Sequence, residues 1–123
     1  MALLLGLLSC ESKKIKDFYL EGGYMLSRYE SAVDDKFYIM DPGQTIVIPS
    51  RIEEICLNSQ WITGRVKDLG VLAMPRVPSG YFIIDTKTRN VTTGLTKQEL
   101  AERLPGVMHM VAPQEWTSQM KRK

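Results

Sequence analysis

The spacing of its turns limits this chain more than any other feature. Short apolar runs recur through the body of the sequence, broken by Gly, Pro or Asp-rich stretches. Their short connections rule out parallel crossovers, which need about a dozen residues or more. Antiparallel sheet is therefore predicted. Residues 24–29 and 37–40 read as aromatic-rich strands. Asp41-Pro42-Gly43-Gln44 between later runs is a strong turn, because Pro presets φ and Gly tolerates positive φ. Residues 45–48 are β-branched and continuous, consistent with a strand buried on both faces, and Pro49 stops them. Residues 52–57 fit a strand better than a short helix. Residues 61–66 form another strand, with Trp61, Thr63 and Arg65 on one face.

The clearest unit is a hairpin leading into a helix. Residues 81–85 and 91–93 pair across a polar loop, and Gly94 ends the second strand. Thr96-Lys97-Gln98-Glu99 then spells a capping box, with the Thr96 hydroxyl accepting the Glu99 amide and the Glu99 carboxylate accepting the Thr96 amide. Leu100 and Leu104 supply an apolar pair one helical turn apart, and the helix stops before Pro105. The predicted fold is a single small α+β domain, mainly antiparallel sheet with this short C-terminal helix. Four segments divide the chain: residues 1–10 as an export segment, 11–22 as a polar tether and first strand, 23–105 as the sheet domain with its terminal helix, and 106–123 as an irregular or mobile tail. The connection over 67–80 holds two Pro and two Gly and reads as irregular.

At 123 residues, with 44% apolar and 24% charged residues, the chain can bury one core. A net charge of +2, spread among mixed signs, argues against nucleic acid, which demands a concentrated basic face. With one histidine, His109, no site needing two imidazoles can form. Phosphate loops, dinucleotide fingerprints and paired-cysteine zinc motifs are missing from the sequence. Met108-His109-Met110 combines ligand types that suit copper(I), but in a strand the His would point away from both Met residues. Met as core filler is the favoured reading there, and neither metal nor cofactor is expected. Glu53 and Glu54 are neighbours in a strand and should point to opposite faces, so they read as solvated charge. Cys56, between Ile55 and Leu57, reads as a small buried side chain.

Residues 1–9 form an apolar run too short to cross a bilayer, which takes about 20 residues. Runs of this kind make the apolar part of an export signal. It ends in Leu7-Leu8-Ser9-Cys10 and switches at once to polar Glu11-Ser12-Lys13-Lys14. That tetrapeptide resembles the lipobox of bacterial lipoproteins. With the turn and strand at 22–29 and the hairpin and helix at 81–104, the chain is similar to small bacterial lipoproteins of unassigned function. The resemblance implies that Cys10 is acylated, that residues 1–9 are removed, and that the protein faces outside the cytoplasm on a lipid anchor. In one respect the segment departs from the pattern: no Lys or Arg precedes the apolar run. An apolar strand or helix packed into a cytoplasmic domain is the other reading.

With no catalytic constellation in view, a protein-interaction module is favoured over an enzyme, and an immunity protein or inhibitor is its specialised form. A small ligand-binding protein or enzyme is the alternative, to be revived by an apolar cavity with converging polar groups. The aromatics Phe18, Tyr19, Tyr24, Tyr29, Phe37 and Tyr38 read first as sheet core, since strand aromatics usually pack. Tyr24, Arg28, Tyr29, Tyr38 and Trp61 are the candidates for an interaction face, because Tyr, Trp and Arg are enriched where proteins meet. An envelope protein is the expected partner.

Overall fold

The computed structural model describes residues 15–29, 36–49, 51–58, 60–67, 77–106 and 109–121. The export segment with Cys10, the tether at 11–14, Asp34-Asp35, residues 68–76 and Met108 lie outside the described residues.

The strands make two sheets in sequence order. β1 (Ile15–Tyr19), β2 (Met25–Tyr29), β3 (Lys36–Met40) and β4 (Ile46–Ile48) form one antiparallel meander. β5 (Ile52–Leu57), β6 (Trp61–Val66), β7 (Gly80–Asp85) and β8 (Val91–Leu95) form another. Two helices follow, α1 (Lys97–Arg103) and α2 (Pro113–Lys121). The result is a single small domain of two four-stranded antiparallel sheets, mostly sheet with little helix.

Register decides which side chains meet. Phe18, Leu26, Ile39 and Ile48 stand opposite one another across β1 to β4, so they share one face. Ile55, Gly64 and Phe82 line up across β5 to β7, as do Leu57, Ile62 and Ile84. These two inner faces merge into one buried cluster, so the sheets pack as a sandwich. Each fully buried aliphatic side chain contributes about 1.5–3 kcal/mol relative to exposure.

The other face of the second sheet is covered too. Ile83, Leu95 and Leu100 are buried together there, with Trp61, Tyr81, Leu104 and Met110 packed around them. Thus α1 lies on the outside of β7 and β8. The predicted capping box is present in both halves. The Glu99 amide donates to Thr96 Oγ1 at 3.1 Å, and the Thr96 amide donates to Glu99 Oε1 at 3.0 Å.

Three expectations are corrected. Residues 45–48 are not a strand buried on both faces: β4 is an edge strand of three residues in which only Ile48 is buried. The tail is not irregular throughout, since α2 begins at Pro113, where a missing amide costs a helix nothing. Cys56 is half-buried rather than buried, because register places it opposite Thr63, on the face turned away from the inter-sheet core.

Val111 and α2 together tie the two sheets to each other. Val111 pairs with Ile55 on the free side of β5 through reciprocal backbone bonds of 2.8 and 3.0 Å. Trp116 then meets Phe18 of the first sheet edge to face, with ring centroids 6.2 Å apart.

Candidate functional site

The five residues expected to form an interaction face do not share a surface. Tyr24 precedes β2 and is only 1% exposed, inside the core cluster. The Arg89 guanidinium lies 6.0 Å from its ring centroid. Burial raises the Tyr24 hydroxyl pKa, and Arg89 opposes that rise. Arg28 stands opposite Phe37 on the inner side of the first sheet, with its guanidinium 5.8 Å from that ring. Tyr38 alternates with Phe37 and Ile39 and therefore takes the outer side. Tyr29 ends β2, and its side chain lies outside the described residues. Trp61 belongs to the second sheet, on the side that carries α1. The correction is geometric: strand alternation divides residues that are near in sequence between opposite faces.

Two surfaces take the place of that face. The first is the outer side of the first sheet. Tyr19 stands opposite Met25, and Met25 opposite Met40; Ser27 stands opposite Tyr38. Tyr19 is 76% exposed, an unusual degree for a strand aromatic. The Ser27 hydroxyl donates to Asp17 Oδ1 at 2.6 Å, fixing a polar point among these apolar groups. Ser27, between them, is fully buried, and the principal helix contacts, of α1 with β7 and β8 and of α2 with β5, are made on the second sheet. Alternation through Tyr38 groups it with Met40 on one side of β3, but the sequence does not show which side faces outward.

The second surface flanks α1, which leaves a cleft on either side. One cleft, of about 350 Å³, lies among Glu54, Tyr81, Lys97, Leu100, Ala101 and Met110. The other, of about 300 Å³, lies among Trp61, Ile83, Asp85, Arg103 and neighbours. In the smaller cleft one oxygen of the acid is well satisfied. Asp85 Oδ1 accepts from Gln60 Nε2 at 3.1 Å and from the Lys87 and Thr88 amides at 3.0 and 3.3 Å. Partial desolvation pushes its pKa up, but these donors outweigh it and hold the carboxyl below its ordinary value.

The larger cleft owes its acid wall to a β-bulge. Ile52 stands opposite Val66 and Glu54 opposite Arg65, so Glu53 is the extra residue. Glu53 and Glu54 therefore do not diverge as the alternation of a regular strand requires. Both reach Arg65, with Nη1 donating to Glu53 Oε1 at 2.8 Å and Nε to Glu54 Oε1 at 3.0 Å. The bond to Glu54 raises the guanidinium pKa against partial burial.

Of the Met-His-Met cluster, Met110 packs beside Leu100 and Ile83 while His109 is exposed. Among the described residues no group of three or more His, Cys, Asp or Glu converges as a metal site. No helix among them is long and apolar enough to cross a membrane. Comparison with family models, curated proteins and solved structures returns no match.

Proposed function

We propose that this chain is a protein-binding module held at the bacterial cell envelope by lipid on Cys10, and that its partner seats on the outer face of the first sheet. The observation that carries the binding half is the exposure of Tyr19 beside Met25, Tyr38 and Met40 on one sheet face. Aromatic and Met side chains are enriched at protein interfaces: Tyr buries a large area at small entropic cost, and Met adapts its shape to a partner. Leu7-Leu8-Ser9-Cys10 supports the anchor. The partner is an envelope protein with an apolar patch of its own, because the face offers few charges to pair.

The test has two arms. Mass spectrometry of the protein expressed from its native start in a bacterial host is expected to show loss of residues 1–9 and an acylated Cys10. An intact, unmodified N-terminus would remove the anchor from the proposal. Cross-linked capture with the anchored protein is then compared between wild type and a Tyr19→Ser/Tyr38→Ser pair. The same partner must be recovered by wild type and lost from the pair. A partner indifferent to both substitutions would refute the sheet face.

A further inference from the structure

Beyond the sheet face, a separate site lies beside α1. We propose that the cleft between α1, β5 and β7 binds a small zwitterion with an apolar side chain, of the size of an apolar amino acid or dipeptide. Leu100, Ala101 and Met110 supply its apolar lining. Its volume of about 350 Å³ lies at the small end of the range that ligand sites occupy.

Charge selects the ligand class. One guanidinium faces two carboxylates on the β5 side, which leaves that wall with one net negative charge. Arg65 holds Oε1 of Glu54, so the carboxylate is fixed in place, and among the described residues nothing bonds its other oxygen. On the helix side, Lys97 brings a positive charge that no carboxylate pairs with among the described residues. Tyr81 adds a hydroxyl with no hydrogen-bond partner among the same residues. A ligand with an ammonium for Glu54, a carboxylate for Lys97 and an apolar body for Leu100 and Met110 satisfies all of them. A simple fatty acid offers no donor to the second oxygen of Glu54, and a simple amine offers no acceptor to Lys97. The cleft on the other flank of α1 differs in that Asp85 Oδ1 already takes three protein donors.

The test is an NMR titration of the folded protein with L-leucine, leucyl-leucine, isocaproate and isoamylamine. Saturable shifts are expected at the amides of Leu100, Ala101 and Met110 with L-leucine or leucyl-leucine, and which of the two binds tighter separates the free amino acid from the peptide. Isocaproate and isoamylamine each forfeit one of the two charge-assisted hydrogen bonds and should bind about tenfold more weakly. Ala101→Phe fills the cleft from an exposed helix position and should abolish the shifts while the rest of the spectrum stays in place. Lys97→Met should weaken the zwitterions and leave isoamylamine unaffected. No saturable shift with either zwitterion, equal binding of the single-charge probes, or binding that survives Ala101→Phe would each overturn the proposal.

Discussion

Phe82 lies against the bare backbone of Gly64 on the neighbouring strand. A methyl group at Gly64 would stand 2.8 Å from the ring's Cζ and closer still to the Glu54 carbonyl oxygen. The glycine is there for space and not for an unusual φ, since its side of β6 faces the inter-sheet core where the ring must lie flat. Gly64→Ala is therefore expected to cost about 3 kcal/mol, as overpacked cores do. Phe82→Leu in the same chain should recover only part of that loss, because the clash with the Glu54 carbonyl remains. Urea denaturation of the two single variants and the double variant measures the coupling.

Arg65 separates two carboxylates that the bulge brings together. Arg65→Met should destabilise more than Glu53→Gln or Glu54→Gln, since it leaves like charges facing each other, whereas either Gln relieves them. All three side chains are about a third or more exposed, so water and salt screen the effect. Each Gln variant should stay within about 1 kcal/mol of wild type. Denaturation at low and high salt decides the matter: the penalty of Arg65→Met should shrink as salt rises.

Acid should weaken the fold through Glu99 and Asp85. The Thr96 amide lowers the Glu99 pKa from its ordinary 4.5, with help from Arg103 and against slight desolvation. Desolvation raises that of Asp85, but donors from Gln60, Lys87 and Thr88 bring it below 3.8. Depressed folded values mean that the unfolded chain binds more protons at a given acid pH. The stabilisation is complete above the unfolded carboxylate values and is lost as pH falls through the folded ones. The melting temperature should thus hold from neutrality to about pH 5 and decline below it. Carbon-NMR titration should place both carboxyls below their ordinary values. Thr96→Ala should cost about 1 kcal/mol and return Glu99 toward its ordinary value.

Trp116 contributes more than the surface position of its helix suggests. Trp116→Ala removes the edge-to-face contact with Phe18 and part of the cover over the sandwich core. A loss of about 2 kcal/mol is expected, below that of a fully buried Trp because this one is half-exposed. Thermal unfolding followed by circular dichroism checks it. An unchanged melting temperature would show that α2 is not integral to the domain.

What could be read from the sequence was local. The hairpin at 81–93 and the Thr96–Glu99 box declare themselves within a few residues, and both are present, except that Gly94 does not end the second strand: β8 runs on through it to Leu95, which pairs with Tyr81. The bulge at Glu53 is not of this kind. One extra residue in Ile52–Leu57 leaves the composition of the strand unchanged, and only its pairing with β6 shows the irregularity. The faces of β2 were equally hidden, because its two alternating sets each hold apolar and polar members and only the buried inner partners choose between them. The cleft was out of reach for the same reason, as Glu54, Tyr81 and Lys97 meet only through tertiary packing. Helix α2 did carry a signal, Pro113 at its first position with Glu115 in its first turn.

The bridge between Val111 and Ile55 has a consequence for solubility. A sheet margin with idle amides and carbonyls is a template on which foreign strands can stack and seed fibrils. At the middle of β5 those groups are already taken by the chain's own Val111. A protein cut short before His109 would uncover that template and is expected to form β-rich aggregates where the full-length chain stays dispersed.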